Sequence, residues 1–389
     1  MQNFTYYNPT KLIFGKGTES QIGAEMAQWA ADTKKVLVVY GGGSAVRSGL
    51  LDRVTQSCEA AGLTVVAKGG VQPNPTVEFV RECIELARAQ NVDAFLAVGG
   101  GSVIDTAKAA AMGVPYDGDV WDFYSGKAQP QDALPVGCVL TIPAAGSEQS
   151  VRTVITNGHV KAGAGTNVVR PKVAVINPEL FFTLPQKQVS AGVIDMMSHI
   201  MERYFTNTEG VDFTSAQAEA ALRSIMRNAV KLMENQQDYD AWAQIGLAGS
   251  FAHNGYYGLG FEEDWACHGM EHALSGWNPA ITHGDGLAVI TPFWMGYVWV
   301  ANPARFDRFA KEVFDVDISS GDTESHVQLM IAKFRAFLMV MNLPTQLSHL
   351  TDQEIPIKEI AAAATQKGPL GHFRALEEKD VEAILRSAL

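Results

Sequence analysis

The run Ala94-Phe-Leu-Ala-Val98 leads straight into Gly99-Gly-Gly-Ser102 and then into a helical stretch. Five apolar residues closed by glycines read as a buried strand, and a strand, tight turn and helix in that order belong to a parallel sheet. The same order recurs on either side. Val36-Leu-Val-Val-Tyr40 ends in Gly41-Gly-Gly-Ser44 and gives way to a helix up to about residue 61. A strand over 63–68 is closed by Gly69-Gly70 and the Pro73-Asn-Pro75 turn. Thr76 then stands as an N-cap, with Glu78 in the first turn of a helix to about residue 90. A fourth strand over 136–142 precedes Ala144-Ala-Gly-Ser-Glu148. Alternating strands and helices predict a parallel sheet covered on both faces.

Past Pro185 the spacing turns helical, over 189–205, 213–233, 242–253 and 262–274 and onward to the end, and strand runs become scarce. Leu184-Pro185 is the expected boundary, giving an α/β domain over 1–185 and an all-α domain over 186–389. A chain of 389 residues has room for both cores. Hydrophobic content of 47% with 19% charged residues indicates folded domains. The net charge of -12 argues against a nucleic-acid surface, which needs clustered Lys and Arg. Cys58, Cys83, Cys138 and Cys267 show no paired spacing and suit a reducing compartment. The first residues lack the basic and apolar regions of a secretion signal. The longest apolar run, 287–301, contains Pro292 and Gly296 and is short for a membrane span. A cytoplasmic protein without membrane or nucleic-acid partners is expected.

The helical half carries two clusters, Asp195-Met-Met-Ser-His199 and His268-Gly-Met-Glu-His272, followed by Thr282-His283-Gly284. Residues four apart on a helix share a face, so each cluster can aim two side chains at one spot. A carboxylate with imidazoles is a mixed oxygen and nitrogen donor set for a divalent ion such as Fe(II) or Zn(II). Five candidates compete for about four coordination places, which leaves one histidine for another task. The bland alternative is a set of hydrogen-bonded helix residues. Unpaired polar groups on apolar helices are costly, which favours the metal reading.

In the first half, glycines at 99–101 let a ligand approach the backbone, and the amides of the following helix attract phosphate oxygens. Asp105 lies in that helix's first turn, where it either complements the helix dipole or faces the occupant of the turn. Gly41, Gly42 and Ser44 sit where the adenosine end of a dinucleotide would lie, with Arg47 nearby and no carboxylate. An acidic residue there would bind the ribose diol of NAD and repel a 2′-phosphate; its absence leaves room for NADP. Neither turn is the G-x-G-x-x-G fingerprint, and a plain strand-to-helix loop remains open as the alternative.

Taken together, these motifs resemble the iron-containing (group III) alcohol dehydrogenases, in the butanol dehydrogenase and broad-range aldehyde reductase branch. The resemblance runs from Pro9-Thr-Lys-Leu-Ile-Phe-Gly-Lys-Gly17 through Ala97-Val-Gly-Gly-Gly-Ser-Val-Ile-Asp105 and Thr141-Ile-Pro-Ala-Ala-Gly-Ser-Glu148 to Gly192-Val-Ile-Asp195. Its most specific part is Asp264-Trp-Ala-Cys-His-Gly-Met-Glu-His-Ala-Leu-Ser275 with His283-Gly284. The family implies a Rossmann-like, dehydroquinate-synthase-like α/β domain that binds the dinucleotide, followed by a helical catalytic domain. It implies Asp195, His199, His268 and His283 as ligands of a divalent metal, iron(II) first and zinc(II) next. His272 would stand beside nicotinamide and substrate as a proton-relay residue. Gly99, Gly100, Gly101 and Ser102 would cradle the pyrophosphate and Asp105 would lie beside the nicotinamide. Thr141, Ser147 and Lys161 would be further cofactor contacts, and Gly41, Gly42 and Ser44 the adenosine-side turn. Four features depart from the family: Ala145 stands for a common Thr and Asn177 for the usual Asp, the interval from His272 to His283 is longer by one, and the loop over 157–166 looks shortened.

The expected activity is hydride transfer between NAD(P)(H), with NADP(H) favoured, and small primary alcohols or aldehydes of the butanol and butanal type. A homodimer is the family expectation. The alternative is a dehydroquinate-synthase-like lyase, which would need several basic residues to grip a phosphorylated acid. Between Asp195 and His283 only Arg203, Arg223, Arg227 and Lys231 are basic, which disfavours it.

Overall fold

The computed structural model describes residues 1–30 and 32–389. The chain divides into two compact units, Tyr7–Thr183 and Leu184–Leu389, the second joined by Met1–Tyr6.

The first unit is an α/β domain. Its strands are β1 (Lys11–Phe14), β2 (Lys35–Gly41), β3 (Thr64–Val71), β4 (Ala94–Gly99), β5 (Val136–Leu140), β6 (Thr153–Asn157), β7 (Val160–Ala164) and β8 (Val173–Ile176). Its helices are α1 (Ile22–Met26), α2 (Ser44–Arg47), α3 (Leu50–Ala60), α4 (Val77–Gln90), α5 (Gly101–Gly113) and α6 (Trp121–Tyr124). Six strands form a parallel sheet in the order β1-β8-β5-β4-β2-β3. The inner strands are apolar on both faces because helices cover both: every residue of β4 and β5 is buried. Met26, Val54 and Cys58 from the helices pack with Val38, Leu96, Val139 and Val175 of the sheet.

Two of the six strands lie outside the four that the sequence signals. β1 and β8 are four residues each and pair along their whole length, from Lys11↔Val173 to Phe14↔Ile176. Runs that short carry too little alternation to announce themselves. The segment over 157–166, expected as a loop, instead contains β7, which closes an antiparallel hairpin on β6. Gly158, with φ +59, makes the turn possible. Asn177 also has a local reason. Its side-chain oxygen accepts from Glu179 N at 3.0 Å, while its Nδ2 donates to buried Glu19 at 2.9 Å. An aspartate there would set two carboxylates against each other.

The second unit is helical. It comprises α7 (Gln186–Tyr204), α8 (Asp212–Glu234), α9 (Tyr239–Ala252), α10 (Ala266–Trp277), α11 (His283–Val298), α12 (Pro303–Phe314), α13 (Thr323–Val340), α14 (Ile357–Ala364) and α15 (Glu378–Ser387). α7 is central: its residues from Val189 to Tyr204 are all buried. α11 holds the longest apolar run, with Pro292 inside it. Among the described residues, no helix is long and apolar enough to cross a membrane.

Helix α10 begins four residues later than the 262–274 spacing predicts. Trp265 precedes it with φ +70, a left-handed conformation that costs an L-residue about 1–2 kcal/mol. The surroundings hold it there: the Arg203 guanidinium lies 4.6 Å from the indole centroid and Trp265 Nε1 donates to Glu263 at 2.7 Å. Asp264 accepts from the backbone of His372 and Phe373 at 2.7 Å each, which fixes the chain one residue earlier.

Candidate metal and nucleotide sites

Asp195 and His199 occupy successive turns of α7, four residues apart, and both are buried. His268 and His272 stand the same way on α10, and His283 is the first residue of α11. Three helices therefore bring four donor atoms together. Asp195 Oδ1 lies 3.6 Å from His199 Nε2, 3.7 Å from His268 Nε2 and 3.6 Å from His283 Nε2. Donors about 2.2 Å from a central ion, in tetrahedral array, are roughly 3.6 Å apart, which is the separation of each Nε2 from Asp195 Oδ1. Asp195, His199 and His268 offer donor atoms all within 4.8 Å of one another, and His283 does so with Glu271 and His272. The polar atoms point the same way: Asp195 Oδ1 and His268 Nε2 are buried without a hydrogen-bond partner among the described residues. Leaving such groups unmatched is costly, and a cation would satisfy both.

Glycines let these helices meet. A Cβ on Gly284 would lie 2.3 Å from Ala191 O, so the glycine allows the start of α11 onto the backbone of α7. A Cβ on Gly286 would lie 2.8 Å from Glu271 Cγ, so this glycine makes room for a carboxylate beside His283.

Two glutamates that the sequence reading did not single out stand beside the cluster. Glu202 Oε1 accepts from His268 N at 2.7 Å and from His268 Nδ1 at 3.0 Å. Glu271 accepts from His283 Nδ1. The available signal was their placement: Glu202 is seven residues after Asp195 and Glu271 three after His268, each on the face of its helix that carries the candidate donors.

Electrostatics differ among the imidazoles. Burial, then His253 and His268, push His199 well below the usual histidine range, leaving it neutral and ready to donate a lone pair. Burial also lowers His268, but the carboxylates of Asp195 and Glu202 outweigh it and raise the pKa to about 9. A cation at His268 Nε2 would have to displace that proton. The side chain of His283 is 25% exposed against 8% for Asp195 and His268, so the cluster opens toward α11. His272 is half-buried, its ring 5.5 Å from that of His283.

In the α/β unit, β2, β4 and β5 are neighbours in parallel register, so their carboxyl ends share one edge. Gly41 ends β2, Gly99 ends β4, and Thr141 after β5 donates its backbone N–H to Gly99 O at 3.0 Å. This brings Gly41, Gly42, Gly99, Gly100, Gly101 and Thr141 to the edge where ligands of open α/β sheets bind. Helix α5 is thirteen residues long and starts at Gly101 with no side chain capping its amides. Gly100 and Gly101 pack on Ile142 and Ala145, where a Cβ would come within 3.0 Å. Gly42 differs: it has no positive φ, and a Cβ there would meet nothing within 4 Å. Nothing described in the chain itself requires glycine at that position, which fits a cradle that a side chain would fill. Gly43, with φ +112, makes the bend, and Ser44 opens α2.

Asp105 and Ser147 are brought together in one hydrogen-bonded cluster. Ser147 Oγ donates to Asp105 Oδ1 at 2.5 Å, and Asp105 Oδ2 accepts from Val154 N at 2.8 Å. Beneath them Lys108, fully buried, donates to the carbonyl and hydroxyl of Ser147 at 3.0 Å and to Ser150 O at 3.1 Å. Burial lowers Lys108 to about 8 against the pull of Asp105. Lys161 is half-buried on β7, and its charge reaches Asp105.

Comparison with known proteins adds independent findings. Residues 9–178 match the family model for iron-containing alcohol dehydrogenase, and residues 189–389 match that for the C-terminal part of the Fe-containing alcohol dehydrogenase family. A probable NADH-dependent butanol dehydrogenase of Bacillus subtilis is 41% identical, with 100% of both chains covered. An NADPH-dependent aldehyde reductase of Escherichia coli is 34% identical over 98% of this chain and 97% of its own length. The crystal structure of an NADH-dependent butanol dehydrogenase A from Thermotoga maritima superposes with a TM-score of 0.95 at 39% identity, covering 100% of this chain and 99% of that one.

Proposed function

Because this chain belongs to the iron-containing alcohol dehydrogenase family, we propose that it transfers hydride between a nicotinamide cofactor and small primary alcohols or aldehydes of the butanol and butanal type. The observation that carries the reading is the convergence of Asp195 Oδ1 with the three Nε2 atoms at 3.6, 3.7 and 3.6 Å. Asp195, His199, His268 and His283 would hold the cation. The donor set suits iron(II) and zinc(II), and the family's name supports iron. When bound, the cation would polarise the substrate oxygen and the nicotinamide would give or take the hydride.

The protein's own part is to orient and to move a proton. His272, half-buried with its ring 5.5 Å from that of His283, would take the alcohol proton in oxidation and return it in reduction. The half-exposed side at His283 is where a small substrate would approach, while the deeper ligands stay dry. At the sheet edge, Gly99, Gly100, Gly101 and Ser102 would receive the pyrophosphate at the start of α5, and Gly41, Gly42 and Ser44 the adenosine end. Thr141 would contact the cofactor through the same edge. Asp105 would lie beside the nicotinamide with Ser147 as a further cofactor contact, Lys108 would brace both from beneath, and Lys161 would lie near the ribose.

NADP(H) is the favoured cofactor in this reading. The turn after β2 bears no carboxylate, and Arg47 Nη1 lies 3.1 Å from where a Cβ of Gly43 would be, over the turn. The relatives' names divide between NADH and NADPH, so the preference is read from the turn. The four cysteines are buried and unpaired, which supports a reducing, cytoplasmic setting.

The lyase alternative loses its support. Arg203, on the same helix as Asp195 and His199, is committed to Glu263 at 3.0 Å and to the Trp265 ring. A direct test is an assay of metal-stripped protein with butanal, scanning Fe(II) and Zn(II) with NADPH and NADH. Net cofactor oxidation on metal addition supports the dehydrogenase reading; none with any aldehyde would overturn it.

A further inference from the structure

Two buried carboxylates stand behind the donor cluster without belonging to it. Glu202 is 3% exposed and Glu271 0%, and charges so deep are retained only against firm partners. Each has one in an imidazole whose other nitrogen faces Asp195. Glu202 receives Nδ1 of His268, whose Nε2 is 3.7 Å from Asp195 Oδ1. Glu271 receives Nδ1 of His283, whose Nε2 is 3.6 Å from the same oxygen. A carboxylate oxygen only accepts, so each Nδ1 carries a proton, which leaves Nε2 as the nitrogen whose lone pair a cation would take.

The two glutamates come from different helices and cross over. Glu202 on α7 holds a ring on α10, and Glu271 on α10 holds a ring on α11. Each grip fixes one helix's ring from the neighbouring helix. Glu202 does more, because its backbone carbonyl also accepts from Asp264 N at 2.8 Å and its side chain takes His268 N. The third imidazole has no such support: among the described residues, His199 Nδ1 has no hydrogen-bond partner. His199 is held instead by ring contacts, stacked on His268 with centroids 4.7 Å apart and tilted at 40° to His253 with centroids 4.2 Å apart.

We propose that Glu202 and Glu271 are positioning residues that lock His268 and His283 in the tautomer presenting Nε2, and so set how tightly the cluster holds a divalent cation. The inference rests on the metal reading above and adds to it two residues outside the donor set. It also adds an asymmetry: two ligand rings are anchored by carboxylates and one by ring contacts.

The test is a chelator-competition titration with Zn(II) on the full-length metal-free protein, comparing wild type with Glu202→Gln and Glu271→Gln. Glutamine keeps the shape and an accepting oxygen but removes the charge. Each variant is expected to bind zinc about 10- to 100-fold more weakly, the usual effect of removing a ligand's outer partner. In zinc-loaded wild type labelled with ¹⁵N-histidine, the Nδ1 protons of His268 and His283 should show the downfield shift of a proton shared with a carboxylate, and that of His199 should not. The labelled wild type decides the question even where a variant fails to fold. Zinc affinity within about twofold of wild type in both variants, or metal bound through Nδ1, would overturn the proposal while leaving the metal site standing. Wild-type protein that binds no zinc at all would bring down the metal reading and this inference together.

Discussion

Glu202 Oε1 accepts two hydrogen bonds from His268, one from its backbone N–H at 2.7 Å and one from ring Nδ1 at 3.0 Å. One oxygen thereby sets both the first turn of α10 and the tilt of a proposed ligand against α7, which carries Asp195 and His199. The donor cluster is a property of packed helices more than of any single motif.

Asp195 is the shared partner of all three Nε2 atoms, so Asp195→Asn should damage the cluster most. Metal affinity is expected to fall by at least about 100-fold, beyond what an outer residue causes. Helical content by circular dichroism should hold, because asparagine fills the same space. Near-normal metal retention would remove Asp195 from the ligand set.

Gly42→Ala separates a cofactor cradle from an ordinary turn. The chain offers no contact within 4 Å of the new methyl, so thermal stability should be unchanged or slightly higher. A methyl against bound nucleotide costs about 1–3 kcal/mol, so KM for NADPH should rise roughly tenfold or more. Unchanged KM would mean that the nucleotide does not pass over this turn.

Arg47→Ala addresses cofactor choice. A charge-assisted hydrogen bond to a 2′-phosphate is worth about 1.5–3 kcal/mol, so KM for NADPH should climb about tenfold and KM for NADH barely change. Equal effects on both cofactors, or none, would count against the 2′-phosphate role.

His326 offers a pH-dependent handle far in sequence from the donor cluster. Its Nε2 meets Ser320 O and its Nδ1 meets Asp307 Oδ1, each at 2.8 Å, and in that order they raise its pKa above the usual histidine value. With the folded value raised, the stabilisation is complete below the ordinary imidazole pKa and is lost as pH climbs through the raised one. His326→Gln should therefore be most damaging near about pH 5.5 and progressively less so toward about pH 9, by urea denaturation. A deficit that grows with pH would reverse the sign and refute the pairing.

Much of this was legible in the sequence because the signals were local. Glycine runs after β-rich segments announced the edge formed by Gly41 and Gly99, and i, i+4 spacing announced Asp195 with His199 and His268 with His272. What escaped depends on distant partners. Glu202 and Glu271 look like ordinary helical glutamates until helices α7, α10 and α11 pack. Trp265 reads as helix until Arg203 and Glu263 hold it at φ +70. Ser147 is hydrogen-bonded to Asp105 and Lys108, and neither Lys108's burial nor its five oxygen acceptors can be read from its neighbours in sequence.

X-ray absorption spectroscopy on metal-reconstituted protein asks the central question most directly. One ion per chain, with three imidazoles and one carboxylate oxygen at about 2.0–2.2 Å, is the predicted first shell. A shell with fewer than three imidazoles, or one containing sulfur, would contradict it.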